Sequence, residues 1–73
     1  MTPDHDVQAG ETWEADGALY HIIAVVRKDW FAPCIDLYDY LEIKNGRCHR
    51  ERGHLTIRNA AANGHPDLWK RVA

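Results

Sequence analysis

The longest apolar run spans residues 18 to 26, Ala-Leu-Tyr-His-Ile-Ile-Ala-Val-Val, and is broken only by His21. β-Branched residues crowd its second half and no 3.6-residue stripe is present, so the run fits a buried strand better than a helix. Upstream, residues 11 to 15 alternate polar and apolar, with Trp13 and Ala15 on one side. Between the two lies Asp16-Gly17, a favoured two-residue hairpin turn because glycine accepts positive φ. A first hairpin over residues 11 to 15 and 18 to 27 follows. Residues 28 to 33 read as a connecting loop. Its adjacent Trp30 and Phe31 either fold back over an open end of the core or are displayed to a partner, with capping favoured.

Residues 34 to 43 carry two patterns. As a strand, Ile35, Leu37, Leu41 and Ile43 share one face with Asp39, and Asp36, Tyr38, Tyr40 and Glu42 share the other. As a helix, Asp36, Asp39 and Glu42 line one stripe and Asn45-Gly46 caps the end. Asn45-Gly46 favours the strand, because pairing outward from a type I′ turn sets Glu42 opposite His49 and Asp39 opposite Arg52. A bulge at Gly53 would then bring Leu37 opposite Leu55 and Ile35 opposite Ile57. Residues 54 to 58 alternate as a further strand. Residues 59 to 64 suit one helical turn, with Asn59 as N-cap and Gly64 as the left-handed residue that ends it. Residues 67 to 72 fit either a terminal helix opened by Pro66 or a closing strand.

Together these elements predict one mostly β domain over residues 9 to 73, preceded by a polar flexible tail over residues 1 to 8. The architecture is a small twisted antiparallel sheet, or a partly closed barrel, of about five strands with a short helical turn near the C-terminus. With 73 residues, 45% hydrophobic and 27% charged, the chain suits a single folded domain with a thin stability margin. It contains no apolar span of about 18 residues, and its N-terminus lacks the basic flank and apolar core of a secretion signal. A cytoplasmic protein with no membrane contact is the expectation. Oligomeric state is left open, a homodimer included.

Charge divides the chain. Residues 1 to 43 carry Asp4, Asp6, Glu11, Glu14, Asp16, Asp29, Asp36, Asp39 and Glu42 against Arg27 and Lys28. Residues 44 to 73 carry Lys44, Arg47, Arg50, Arg52, Arg58, Lys70 and Arg71 against Glu51 and Asp67. If the chain doubles back at Asn45-Gly46, the halves neutralise one another. The basic segment from Arg47 to Arg58 then loses much of the field that would attract nucleic acid. Lys44, Arg47, Arg50 and Arg58 are what would remain for that role.

Candidate chemistry is sparse. Cys34, Cys48, His49, His54 and His65 are the residue types that hold zinc, but no Cys-x-x-Cys or His-x-x-x-His pair occurs, and on a strand Cys48 and His49 point to opposite faces. Neither a metal nor a cofactor is expected, and the cysteines read as free thiols. Cys34 or Cys48 with a histidine, or Asp36 with Asp39, carries no catalytic motif, and no phosphate-cradling loop is present. His21 reads as a satisfied strand histidine. An enzyme is therefore not expected.

The aromatics outnumber what a core this size needs. Asp36, Tyr38, Tyr40 and Glu42 would form an acidic-aromatic face which, with Trp30 and Phe31, suits a protein partner bearing a basic surface.

Two resemblances bear on this reading. The Gly-x-x-Trp…Asp-Gly-x-Leu-Tyr hairpin of residues 10 to 20, with short strands after it and a near-terminal Trp69, resembles SH3-like small barrels among accessory proteins of phages and mobile elements. Inhibitors of bacterial defence systems belong to that group. The resemblance implies a small non-enzymatic protein that occupies a partner surface. Separately, residues 10 to 20 and the Gly64-His-Pro66…Trp69-Lys-Arg-Val72 segment resemble the two ends of chitinase-type carbohydrate-binding modules. That resemblance implies sugar stacking on Tyr20 and Trp69, but a long insert containing Asn45-Gly46 separates the matching ends.

Overall fold

The computed structural model describes residues 7 to 73. Five antiparallel strands form one open sheet: β1 (Thr12–Ala15), β2 (Ala18–Ala32), β3 (Ile35–Lys44), β4 (Arg47–Leu55) and β5 (Lys70–Arg71), in the order β4-β3-β2-β1-β5. A helix, α1 (Ile57–Ala62), and a 3-10 turn at Pro66–Leu68 join β4 to β5. The outer strands β4 and β5 do not pair, so the sheet stays open.

Both dipeptide turns form where the sequence placed them. Asp16 and Gly17 have φ of 55° and 80°, Asn45 and Gly46 of 54° and 74°. Positive φ at both central residues is the type I′ signature, whose twist matches that of the flanking strands. From Asn45-Gly46 the register runs outward as expected, with Glu42 opposite His49 and Asp39 opposite Arg52.

Beyond that point the expected bulge at Gly53 is absent. Pairing continues unbroken, with Tyr38 opposite Gly53, Leu37 opposite His54 and Asp36 opposite Leu55. A Cβ at Gly53 would stand 3.6 Å from the Tyr40 hydroxyl, an ordinary contact, so neither a bulge nor crowding requires glycine there. The irregularities lie in β2, between Ile22 and Ala24, between Val25 and Arg27, and between Arg27 and Ala32. The last shift is the largest, and residues 28 to 32 of the expected loop belong to the strand, with Pro33 in the turn that follows.

The segment after β4 also differs from the alternating strand expected over residues 54 to 58. The strand stops at Leu55 and the helix starts at Ile57, with Thr56 rather than Asn59 at the N-cap. Ile57 and Ala60, spaced one turn apart, are buried against the sheet, and the alanines at 60 to 62 favour the helix. The Thr56 side chain makes no cap bond; its Oγ1 accepts from Trp69 Nε1 at 3.3 Å. Gly64, at φ 83°, takes the left-handed position expected of it. The terminal segment holds both forms in succession, the 3-10 turn and then β5, which pairs with β1.

The core sits on one side of the sheet: Val7, Trp13, Ile22, Tyr38, Leu55 and Ile57, flanked by Tyr20, Val25, Tyr40 and Trp69. Residues 1 to 6 of the expected tail lie outside the described residues, and Val7, at the inner end of that tail, is a core residue. On the opposite side Leu19, Leu37, Leu41 and Ile43 are only half-buried. Among the described residues, no helix is long and apolar enough to cross a membrane.

Two sets of substitutions test this frame in urea unfolding. Ile22→Ala should cost about 3 kcal/mol, because Ile22 is wholly buried. Gly46→Ala should cost about 1 kcal/mol at its left-handed φ, whereas Gly53→Ala should leave stability unchanged or raise it by about 0.5 kcal/mol. A loss at Gly53 equal to that at Gly46 would restore the bulge.

Candidate functional site

Where β2 meets β3 near their common turn, Arg27 faces Leu37 and Ala32 faces Ile35, so residues 28 to 31 lie opposite Asp36 alone. A strand stretch with too few partners must arch out of the ladder, and its backbone donors need substitutes. Asp36 supplies one: its Oδ1 accepts the Asp29 N–H at 2.9 Å. Asp29 supplies the next, its Oδ1 accepting the Cys34 N–H at 2.8 Å. Asp29 and Cys34 both hold positive φ, 52° and 67°, so these bonds fix a backbone that L-residues otherwise avoid.

The Asp36 carboxylate is itself only 1% exposed. Arg58, from the first turn of α1, donates to its Oδ1 at 2.6 Å, and the Tyr38 hydroxyl donates to Oδ2 at 2.8 Å. Arg58 also stands 3.5 Å from Asp29 Oδ1. Burial by itself would raise the Asp36 carboxyl. The Asp29 amide, the Arg58 guanidinium and the Tyr38 hydroxyl outweigh it and hold the carboxyl below its ordinary range. Arg58 is correspondingly raised, first by its hydrogen bond to Asp36.

At the crest of the arch Trp30 is 42% and Phe31 76% exposed, with ring centroids 6.0 Å apart. The capping role favoured for this pair is not observed: Trp30 leans on His54 of β4, rings stacked at 6.2 Å, and Phe31 stands in solvent. The rest of the expected acidic-aromatic face does not assemble. Asp36 and Tyr38 are interior, since α1 and Val7 pack on their side of β3 and the half-buried Arg58 guanidinium meets the acid. Tyr40 and Glu42 are half-buried. Tyr40 lies 5.7 Å from Tyr20, and burial first, then Glu42, pushes both phenols above their ordinary value.

Tyr20 meets Trp69 edge-on, with ring centroids 5.0 Å apart and the ring planes inclined by 60°. Arg52 is clamped to Asp39 through Nε at 2.6 Å and Nη2 at 3.0 Å, and this pairing lowers the Asp39 carboxyl. Thr12 Oγ1 lies 2.9 Å from His21 Nδ1, satisfying that strand histidine. Cys34 and Cys48 are free thiols, and among the described residues no three Cys, His, Asp or Glu side chains converge on a point where a metal could sit. In the sequence Asp29 counts only among the acids and Arg58 only among the bases left for nucleic acid; their meeting with Asp36 is not legible there. The available sign was an acid at position 36 on the face that also carries Tyr38, since a buried carboxylate requires a cation.

No family model, curated protein or solved structure matches this chain.

The carboxylate yields a pH prediction. Its folded-state proton affinity is depressed, so its stabilisation is fully present above pH of about 4 and is lost as pH falls through the lowered value. Asp36→Asn should cost about 3 kcal/mol near neutrality, the low end for a broken buried pair because Arg58 keeps 21% of its side-chain surface in water. The variant should also show a shallower acid limb in urea unfolding and faster exchange of the Asp29 amide. An unchanged acid limb would remove Asp36 from this role.

Proposed function

We propose that the protein is a small non-enzymatic binding module that occupies the surface of a protein partner, with Trp30 and Phe31 as its anchors. The observation that carries this reading is the exposed aromatic pair on an arch that Asp36, Asp29 and Arg58 hold rigid. A solvated phenylalanine forgoes about 1.5–3 kcal/mol of burial, which becomes available on docking. Fixing the arch in advance lowers the ordering cost of that step. Aromatic anchors at projecting points are what interface energetics concentrate on.

The surroundings reverse the expected sign of the partner. Arg27 stands at the foot of the arch, His54 of β4 stacks on Trp30, and Asp29 is already engaged by Arg58. An acidic surface complements this end better than a basic one. Occupying a partner in this way is how an accessory or inhibitor protein acts, in keeping with the small-barrel resemblance.

Photo-crosslinking tests the assignment. A photoreactive phenylalanine analogue at position 31 should give one discrete crosslinked protein in native-host lysate, and the same analogue at exposed Ala62 should not. Phe31→Ser should abolish recovery of that protein while changing unfolding stability by less than about 0.5 kcal/mol. Equal crosslinking from positions 31 and 62 would reject the arch as the contact.

A further inference from the structure

Strand β4 is the long open edge of the sheet. It pairs with β3 on one side only, and every residue from Arg47 to Arg52, together with His54, is exposed. The turn fixes which backbone groups point outward. In a two-residue turn the flanking pair, here Lys44 and Arg47, bonds inward across the hairpin, and inward and outward residues then alternate. Cys48, Arg50, Arg52 and His54 therefore turn their N–H and C=O groups away from β3. Among the described residues, none of these groups meets another segment of the chain. Their side chains share the face that α1 leaves uncovered, in line with Ile43, Leu41, Asp39 and Leu37.

An edge this long would ordinarily recruit a second copy of itself. Here the charges oppose it. Antiparallel self-pairing about a two-fold axis must set residues of equal parity opposite one another. The three longest registers, centred on Arg50, Glu51 and Arg52, place Arg50 against Arg50, Glu51 against Glu51 with Arg50 against Arg52, and Arg52 against Arg52. Like charges directly opposite destabilise a pair. The side chains that repel a copy of β4 attract a strand of the opposite sign.

We infer that the β4 edge accepts an extended acidic segment of a partner protein as a sixth strand, with an acid opposite Arg50. Strand addition takes its affinity from main-chain bonds and its selectivity from alternate side chains. The incoming segment runs toward His54 and the Trp30 ring stacked on it, so an apolar residue at that end continues onto the aromatic arch. This inference deepens the protein-binding reading by stating which chemistry the partner presents beside Phe31. A nucleic acid fits less well. Arg52 is already held by Asp39, Glu51 interrupts the series, and Arg47 and His49 project to the other face.

Amide exchange on the isotopically labelled protein tests the edge without involving position 31. A blocked six-residue peptide alternating glutamate and valine, at millimolar concentration, should slow exchange at Cys48, Arg50, Arg52 and His54 and leave the inward amides of β4 unchanged. Arg50→Glu, checked for retained circular dichroism, should weaken this binding about tenfold, whereas Arg47→Glu should alter it less than threefold. The same peptide N-methylated at alternate residues keeps its charge but loses its donors, and it should protect nothing. Absence of protection by the unmodified peptide would overturn the inference, as would equal protection by the methylated one. So would single-stranded oligothymidine binding that depends on Arg47 and Arg50 alike. A positive crosslink at position 31 with no edge protection would leave the arch standing and refute the added strand alone.

Discussion

A carboxylate taken out of water at Asp36 is the constraint on which the rest of the molecule turns. A buried charge survives only with a close countercharge and hydrogen bonds to its remaining lone pairs. Here those come from separate parts of the chain: the Asp29 amide from the arch of β2, the Tyr38 hydroxyl from β3, and the Arg58 guanidinium from α1. One side chain thereby sets the shape of the hairpin end and the direction the chain takes after β4. The arginine must arrive on the sheet face that Asp36 occupies, so α1 begins at Ile57 and lies over Tyr38 rather than over the leucine face.

That choice leaves the two sides of the sheet unequal. One carries a small core capped by a short helix and by the Tyr20, Tyr40 and Trp69 cluster. The other carries half-buried leucine and isoleucine with no element above them among the described residues. A short chain has little material with which to cover both faces. What it leaves open is therefore concentrated at the sheet's margins: the aromatic arch at one end of β2 and β3, and the basic edge of β4 beside it. Both adjoin His54, which stacks on Trp30 and belongs to the open edge.

Opposed charge in the two halves of the sequence has a partly structural purpose. The bidentate Arg52–Asp39 pair bridges β3 and β4, and Arg58–Asp36 bridges the helix and the sheet. At the surface such a pair contributes little to stability, while like charges in its place would disfavour the register. Arg47 and Arg50 lie on the open edge of β4, where only Asp39, already paired with Arg52, acts on Arg50 among the described residues.

The sequence alone determined the local geometry. Asp16-Gly17 and Asn45-Gly46 require positive φ, so both hairpins and the register next to each turn were legible, as were the strand at residues 35 to 43 and the glycine that ends the helix. These are short-range matters, settled by which backbone angles a residue tolerates and by alternation along a strand. Only the tertiary structure decided which face of β3 is interior, because alternation defines two faces without ranking them. Leu37, Leu41 and Ile43 looked the more apolar set, yet Tyr38 fills more volume and Asp36 finds its cation far along the chain. The arch that displays Trp30 and Phe31 depends on that same distant meeting of Arg58 with Asp36, a contact that no local pattern encodes.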